Sequence, residues 1–137
     1  MNIIVCVKRV PETTEADISI DKSEKDIDKS GLVFDLNEWD SYAIEEAILL
    51  KEKLGGTVTV LSMGPPQAEE ALREAISLGA DEAVLLSDRA FAGSDTWATS
   101  YALAQGLRRL APDLVLCGMQ AIDGDTGQVG PGISVHL

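Results

Sequence analysis

Short apolar segments alternate with amphipathic segments along this chain. The first of them, residues 2–7, is an unbroken run rich in β-branched residues, as is typical of a strand buried on both faces of a sheet. Further predicted strands occupy residues 57–62, 83–87 and 114–117. The segments between them carry apolar residues at three- and four-residue spacing, which predicts helices. Because strands that alternate with helices form right-handed crossovers, the pattern predicts an α/β fold with a doubly wound, Rossmann-like parallel sheet.

The predicted helices have recognisable ends and apolar faces. The first begins at a cap supplied by Asn37 or Asp40 and ends before Gly55, the second follows Pro65 and Pro66 and ends at Gly79, and the third begins at Ser94 or Asp95. Residues predicted to face the core are Ala43, Ile44, Ala47, Ile48 and Leu50 or Leu54; then Ala71, Leu72, Ala75, Ile76 and Leu78; then Trp97, Ala98, Tyr101, Ala102 and Ala104 or Leu107. At this spacing we interpret Trp97 and Tyr101 as core residues rather than cofactor contacts.

Residues 12–36 interrupt this alternation between the first strand and the first helix. Ile18 and Ile20 alternate with polar residues, a charged stretch follows, and Gly31 precedes the apolar residues 32–34. This pattern predicts a β-hairpin or arm inserted after the first strand. No chemistry is expected there.

The last predicted strand leads into a loop dense in glycine and aspartate, and Pro131 then suits the first turn of a helix. In a parallel sheet this loop lies past the carboxyl end of its strand, where the amides of residues 127–130 can converge on an anion such as phosphate. An alternative is that the glycines only form a tight turn. If the strand order is 3-2-1-4, the order reverses between the first and fourth strands. Lys8, just past the first strand, then faces either the ligand or solvent.

Composition and charge narrow the range of possible functions and binding partners. The chain has 137 residues, enough for one domain over residues 1–137, and 23 acidic against 11 basic residues give a net charge of −12. Binding to nucleic acid or to an anionic membrane is therefore disfavoured. The amino terminus lacks the features of a signal peptide or membrane span, so we expect a cytoplasmic protein in which Cys6 and Cys117 are reduced thiols. The single His136 is not expected to serve catalysis or metal binding.

Several segments together resemble the beta subunit of electron transfer flavoproteins. They are VCVKRVP at 5–11, Asn37 with YAIEEA at 42–47, GPPQA at 64–68, LGAD at 78–81 and QAIDGDTGQVGP at 120–131. The resemblance implies an electron carrier that forms a heterodimer with an alpha subunit, accepts electrons from flavin-dependent dehydrogenases, and binds AMP or, in electron-bifurcating members, a second FAD. It implies no catalytic residue.

The same resemblance implies which residues hold the nucleotide. The strand ends and Asn37 would border the adenosine, and the loop would wrap the ribose and phosphate. The implied cofactor-binding residues are Cys6, Val7, Lys8, Asn37, Ser62, Met63, Gly64, Asp123, Asp125, Thr126, Gly127, Gln128, Val129 and Gly130. A Mg²⁺ ion on Asp123 and Asp125 is an alternative that we rank lower, because loop carboxylates often accept backbone amides or a ribose hydroxyl. No metal site is expected.

Two other classes of function remain open from the residues alone. A nucleotide sensor or stress-type protein with a similar sheet would require a glycine-containing phosphate-binding loop followed by Gly-Ser or Gly-Thr. A ligase or hydrolase would want a cationic or nucleophilic side chain in the loop, yet residues 119–132 contain no Lys, Arg, His, Ser or Cys. Family members extend well beyond residue 137, so we expect this chain to be the amino-terminal part of a longer subunit. It would lack the fifth strand of the sheet. Because its fourth strand would then be an exposed edge, we expect the chain to self-associate.

Overall fold

The computed structural model of the chain describes residues 1–14 and 16–137. Two short 3₁₀ turns, Pro66–Ala68 and Arg89–Phe91, precede the second and third helices. The strands and helices follow in the order β1 (Asn2–Cys6), β2 (Arg9–Pro11), β3 (Phe34–Leu36), α1 (Glu38–Leu54), β4 (Thr57–Met63), α2 (Glu69–Ser77), β5 (Glu82–Leu86), α3 (Thr96–Leu110), β6 (Leu114–Cys117) and α4 (Val129–His136).

The main sheet is parallel, and its strands lie in the order β5-β4-β1-β6. Within β1, Ile4 pairs with Thr59 of β4 on one side and with Val115 of β6 on the other. This arrangement confirms the predicted order, in which the reversal falls between the first and last of the four strands. The carboxyl ends of β1 and β6 therefore flank the crevice where such sheets bind ligands.

Both faces of the sheet are covered, which explains why its strands are apolar at successive positions. On one face, Ile3 and Val5 pack with Ile44 of α1 and Leu72 of α2. On the other face, Ile4, Cys6 and Leu61 pack with Leu103 and Leu107 of α3 and with Ile133 of α4. The predicted α/β class with helices on both sides of a buried sheet is confirmed.

The insertion forms a hairpin, but its strands lie elsewhere than predicted. Arg9–Pro11 pairs antiparallel with Phe34–Leu36, and the guanidinium of Arg9 lies 4.1 Å from the Phe34 ring centroid. Between them, Ile20 and Ile27 form an isolated antiparallel bridge, and residue 15 lies outside the described residues. Arg9 and Pro11 thus continue into a second strand instead of only ending the first. The alternation of apolar and polar residues did not reveal this pairing, because the two paired strands lie far apart in the sequence.

Helix α2 buries fewer of the predicted residues than expected, whereas α1 presents the predicted face to the core. In α2, Ala71, Leu72 and Ala75 are buried, whereas Ile76 and Leu78 are exposed. In α1, Leu50 packs against the core and Leu54 is exposed. The exposed residues of α2 lie in its last turn and just beyond its end at Ser77.

The prediction that Trp97 and Tyr101 belong to the core is wrong. Their exposed fractions are 66% and 54%, and both rings contact His136 of α4 edge-on. The buried face of α3 consists of Ser100, Leu103, Ala104, Gly106 and Leu107. Both stripes have helical spacing, so periodicity alone could not select between adjacent faces of one helix. Among the described residues, none of the helices has both the length and the apolar character needed to cross a membrane.

Candidate functional site

A cavity of about 390 Å³ opens at the carboxyl ends of β1 and β6. It extends over the start of α1, the loop before α3 and the loop that joins β6 to α4. Eleven of the predicted site residues line it: Cys6, Val7, Lys8, Asn37, Met63, Asp125, Thr126, Gly127, Gln128, Val129 and Gly130. The structure therefore brings together residues from the first, second and fourth strand ends, as expected at a topological reversal.

Three predicted residues lie outside the cavity lining. Ser62 is buried within β4, and the backbone N–H of Gly64 donates to the Leu86 carbonyl at 3.0 Å. Asp123 sits beside the cavity, where both its carboxylate oxygens accept hydrogen bonds from Lys8 Nζ at 2.7 and 2.8 Å. Lys8 is half exposed, and it is the basic side chain among the described residues that line the cavity.

Sequence reasoning missed two parts of the wall. One part is the segment from Phe91 to the first turns of α3, including Asp95, whose carboxylate caps α3 by accepting from the Ala98 N–H at 2.8 Å. The sequence did contain a signal for this part. The segment follows β5, and because all strands of the sheet are parallel, it leaves the sheet at the same edge as the loops after β1 and β6. The other missed part consists of Asp40, Cys117 and Gly118.

Asp40 joins three elements at the base of the cavity. Its carboxylate accepts a hydrogen bond from the Lys8 N–H at 2.8 Å and another from the backbone of Gly118. Burial raises the pKa of Asp40 from 3.8 to about 6, although these hydrogen bonds oppose the shift. Asp40 thus connects the ends of β1 and β6 to the first turn of α1. It does not act as the predicted helix cap.

Gly118 allows this junction to close. A Cβ at Gly118 would collide with the carboxylate of Asp40 and would lie 2.8 Å from the Trp39 carbonyl carbon and 2.9 Å from the Asp40 nitrogen. Two of those atoms belong to the backbone, which cannot rotate away. A glycine is therefore required for β6 to end against the amino terminus of α1.

Asn37 holds the loop after β6 to the start of α1. It occupies the N-cap position of α1, but its side chain makes no capping hydrogen bond. Instead, its amide nitrogen donates to the Gln120 carbonyl at 2.9 Å, and its amide oxygen accepts from the Ile122 N–H at 3.1 Å. Only 1% of Asn37 is exposed. The residue therefore acts as a clamp between two distant segments of the cavity wall.

Replacing Asn37 with alanine should lower the free energy of unfolding by about 1–2 kcal/mol, because it leaves two backbone groups without their buried partner. Urea denaturation measures this loss. The Asn37→Asp variant keeps an oxygen for Ile122 but buries a charge that faces the Gln120 carbonyl and lies beside Asp40, so it should be less stable than the alanine variant. An alanine variant as stable as the wild type would show that the clamp is not needed.

The clamped loop bends twice through left-handed backbone conformations. Asp125 has a φ of 57° and Gly127 a φ of 61°. The Asp125 N–H donates to the Ala121 carbonyl at 2.8 Å, and its carboxylate accepts from the Gln120 side chain. Since Asp123 and Asp125 both have partners within the protein, the arrangement does not favour the alternative in which they share Mg²⁺. Among the described residues, no cluster of three or more His, Cys, Asp or Glu side chains could hold a metal ion.

The loop ends at the amino terminus of α4, which starts at Val129, two residues before the predicted position. The first N–H groups of a helix have no intrahelical partner, so those of Val129 and Gly130 are available to an anion in the cavity. Helix α3 fixes this end: Thr96 Oγ1 donates to Gln128 Oε1 at 3.0 Å, and Ser100 Oγ donates to the Val129 carbonyl at 3.2 Å. The free amides are thus held in place before any ligand binds.

Comparison with known proteins decides the family. Residues 26–137 match the family described as the electron transfer flavoprotein domain. The chain belongs to the electron transfer flavoprotein family. It is 54% identical over its full length to the electron transfer flavoprotein subunit beta of Clostridium acetobutylicum, of which it covers 52%. It is also 51% identical over 141 aligned residues to protein FixA of Azotobacter vinelandii, covering 50% of that protein, and 52% identical over 139 aligned residues to subunit CarD of the caffeyl-CoA reductase-Etf complex of Acetobacterium woodii, covering 52%.

Two of these relatives are named as a beta subunit and as a subunit of an Etf complex, and together with the matching family they confirm the resemblance inferred from the motifs. The chain spans about half the length of these curated relatives. The matched region contains α1 and every helix and strand that follows it, including the loop that joins β6 to α4.

Proposed function

We propose that this chain is part of an electron-carrying flavoprotein and that its cavity binds an adenine nucleotide, AMP or FAD. Family membership supports the electron-transfer role. The observation that carries the nucleotide proposal is that residues 127–130, which lead into the amino terminus of α4, line a cavity at the point where strand order reverses. Helix amino termini and glycine-rich turns at such points favour phosphate.

The residues of the cavity suit the parts of a nucleotide differently. The amides from Gly127 to Gly130 would hold a phosphate, and Lys8 would add a charge at the rim, where Asp123 already engages it. The ends of β1 and β4, with Asn37, offer apolar and amide surface that would border adenosine. When FAD is the bound nucleotide, its flavin supplies the redox chemistry, and these residues only bind and orient it.

The full-length protein would work with partners. We propose a heterodimer with an alpha subunit and electron exchange with flavin-dependent dehydrogenases, as the family resemblance implies, in the cytoplasm. The relative CarD, which is named as a subunit of an Etf complex, supports the subunit role. Mass spectrometry of the supernatant from denatured full-length protein distinguishes AMP from FAD directly.

Replacing Gly127 with valine should weaken AMP or FAD binding by about 1–2 kcal/mol, because a β-branched residue is strained at a φ of 61° and the amide would turn away from the ligand. Lys8→Ala should cost less, since its flexible ammonium group is an auxiliary charge. Isothermal titration calorimetry with full-length variants measures both effects, with circular dichroism to verify folding.

Gly124→Ala is the matched control for this comparison. It lies in the same loop, its φ is not positive, and a Cβ added there would have no other atom within 4 Å. Because Gly124 also lines the cavity, its alanine variant adds a Cβ there without backbone strain, and it should lose less nucleotide affinity than Gly127→Val. Wild-type affinity in Gly127→Val together with lost binding in Lys8→Ala would place the phosphate at the end of β1 and contradict the proposed site.

A further inference from the structure

The two cysteines meet at the floor of the cavity. Cys6 ends β1 and Cys117 ends β6, and the two residues are directly paired in the parallel register. Both pack against the same apolar cluster on the α3 and α4 side of the sheet, so both side chains lie on that face. Both are free thiols, and both line the cavity.

The register places the cysteines at a separation that a disulfide can span. Neighbouring strands lie about 4.8 Å apart, and disulfides join Cα atoms about 4.4–6.8 Å apart. The two thiols are close enough to shift each other's pKa. Bond formation therefore needs a side-chain rotation and only a small shift of the strand ends, where β1 and β6 both pass into loops.

The two thiols differ in reactivity. The neighbouring Cys6 thiol lowers the pKa of Cys117, whereas the Cys117 thiol and burial raise the pKa of Cys6. The nearby Asp40 carboxylate opposes ionisation of both thiols. Cys117 is also the more exposed of the two, and a Cβ on Gly130 would lie 3.6 Å from its sulfur, so it sits against the first turn of α4. Cys117 is thus the better nucleophile.

We propose that Cys6 and Cys117 form a redox-active pair that closes to an intramolecular disulfide on reaction with a low-molecular-weight disulfide. The Cys117 thiolate attacks one sulfur of the reagent and breaks its S–S bond, which releases one thiolate and leaves a mixed disulfide on Cys117. The Cys6 sulfur then attacks the Cys117 sulfur and displaces the second thiolate. The two thiol protons of the protein end on the two released thiols, so the protein loses two electrons and the reagent gains them.

The test uses the purified full-length protein and 2-hydroxyethyl disulfide, which is small enough to enter the cavity. After acid quenching, non-reducing peptide mapping should find the peptides of Cys6 and Cys117 joined, and dithiothreitol should separate them. In the Cys6→Ser variant the reaction should stop at a mixed disulfide on Cys117. In Cys117→Ser, reagent addition to Cys6 should be at least about tenfold slower than the first step of the wild type, because the more accessible thiolate is gone.

Circular dichroism verifies that the two serine variants fold, and the wild-type peptide map decides the proposal without them. Mixed disulfides on both cysteines with no joined peptides, or two unreacted thiols in the wild type, would overturn it. The proposal would also be overturned if Cys6 in the Cys117→Ser variant and Cys117 in the Cys6→Ser variant were modified at equal rates.

A bound nucleotide should cover the pair, and this part rests on the proposed function. Saturating AMP should slow disulfide formation at least about tenfold, since exchange requires access to the thiolate. Unchanged rates despite binding seen by calorimetry would overturn the shielding. If calorimetry detects no binding of AMP or FAD, the proposed function fails, while the peptide map still decides on the cysteine pair.

Discussion

Replacing Gly118 with alanine is expected to lower the free energy of unfolding by about 3 kcal/mol or more, the upper part of the range for overpacked cores. The new Cβ would overlap the Asp40 carboxylate and approach the backbone of residues 39 and 40 to below 3.0 Å. Relief requires α1 to move away from the end of β6. That movement would break the hydrogen bond from Lys8 to Asp40 and disturb the Asn37 clamp, so nucleotide affinity should fall as well.

Urea denaturation followed by circular dichroism measures the loss. Gly124→Ala is again the matched control, because the same substitution six positions later meets open space and should change stability by no more than about 0.5 kcal/mol. If both alanine variants unfold at the same urea concentration as the wild type, the junction between β6 and α1 is looser than the structure shows.

The second large effect concerns pH. Because the pKa of Asp40 rises from 3.8 to about 6 on folding, the folded state binds a proton more tightly than the unfolded state. The free energy of unfolding that Asp40 contributes is therefore greatest below pH 3.8 and decreases as pH rises through 6. Over the whole interval the change amounts to about 3 kcal/mol.

The Asp40→Asn variant removes this titration while keeping the size of the side chain. The difference in unfolding free energy, wild type minus variant, should rise by about 2 kcal/mol as pH falls from 7 to 4, and the rest of the change follows below pH 4. Other carboxyls with shifted pKa values, such as Asp81, which the Val58 N–H and Lys51 hold low, titrate in both proteins and cancel. Urea denaturation at four pH values tests this expectation. A difference that stays constant across that range would show that Asp40 is ionised without penalty.

Local patterns in the sequence determined much of this protein. Runs rich in apolar and β-branched residues located the four strands of the parallel sheet to within a residue or two, because burial on both faces leaves few polar positions. The spacing of glycine and proline located the loop before α4, since backbone with positive φ and the first turn of a helix have strong residue preferences. The family motif then indicated a nucleotide site at the strand order reversal, where the structure has a cavity.

The tertiary structure alone decided which partner a side chain chooses when several are compatible with the local pattern. Asn37 and Asp40 both have the chemistry of helix caps, yet one binds the loop at Gln120 and Ile122 and the other joins Lys8 to Gly118. Trp97 and Tyr101 have the spacing of core residues, yet they lie outside and contact His136. In each case the competing partner is distant in sequence, and its free energy of interaction exists only after the sheet has brought the two segments together.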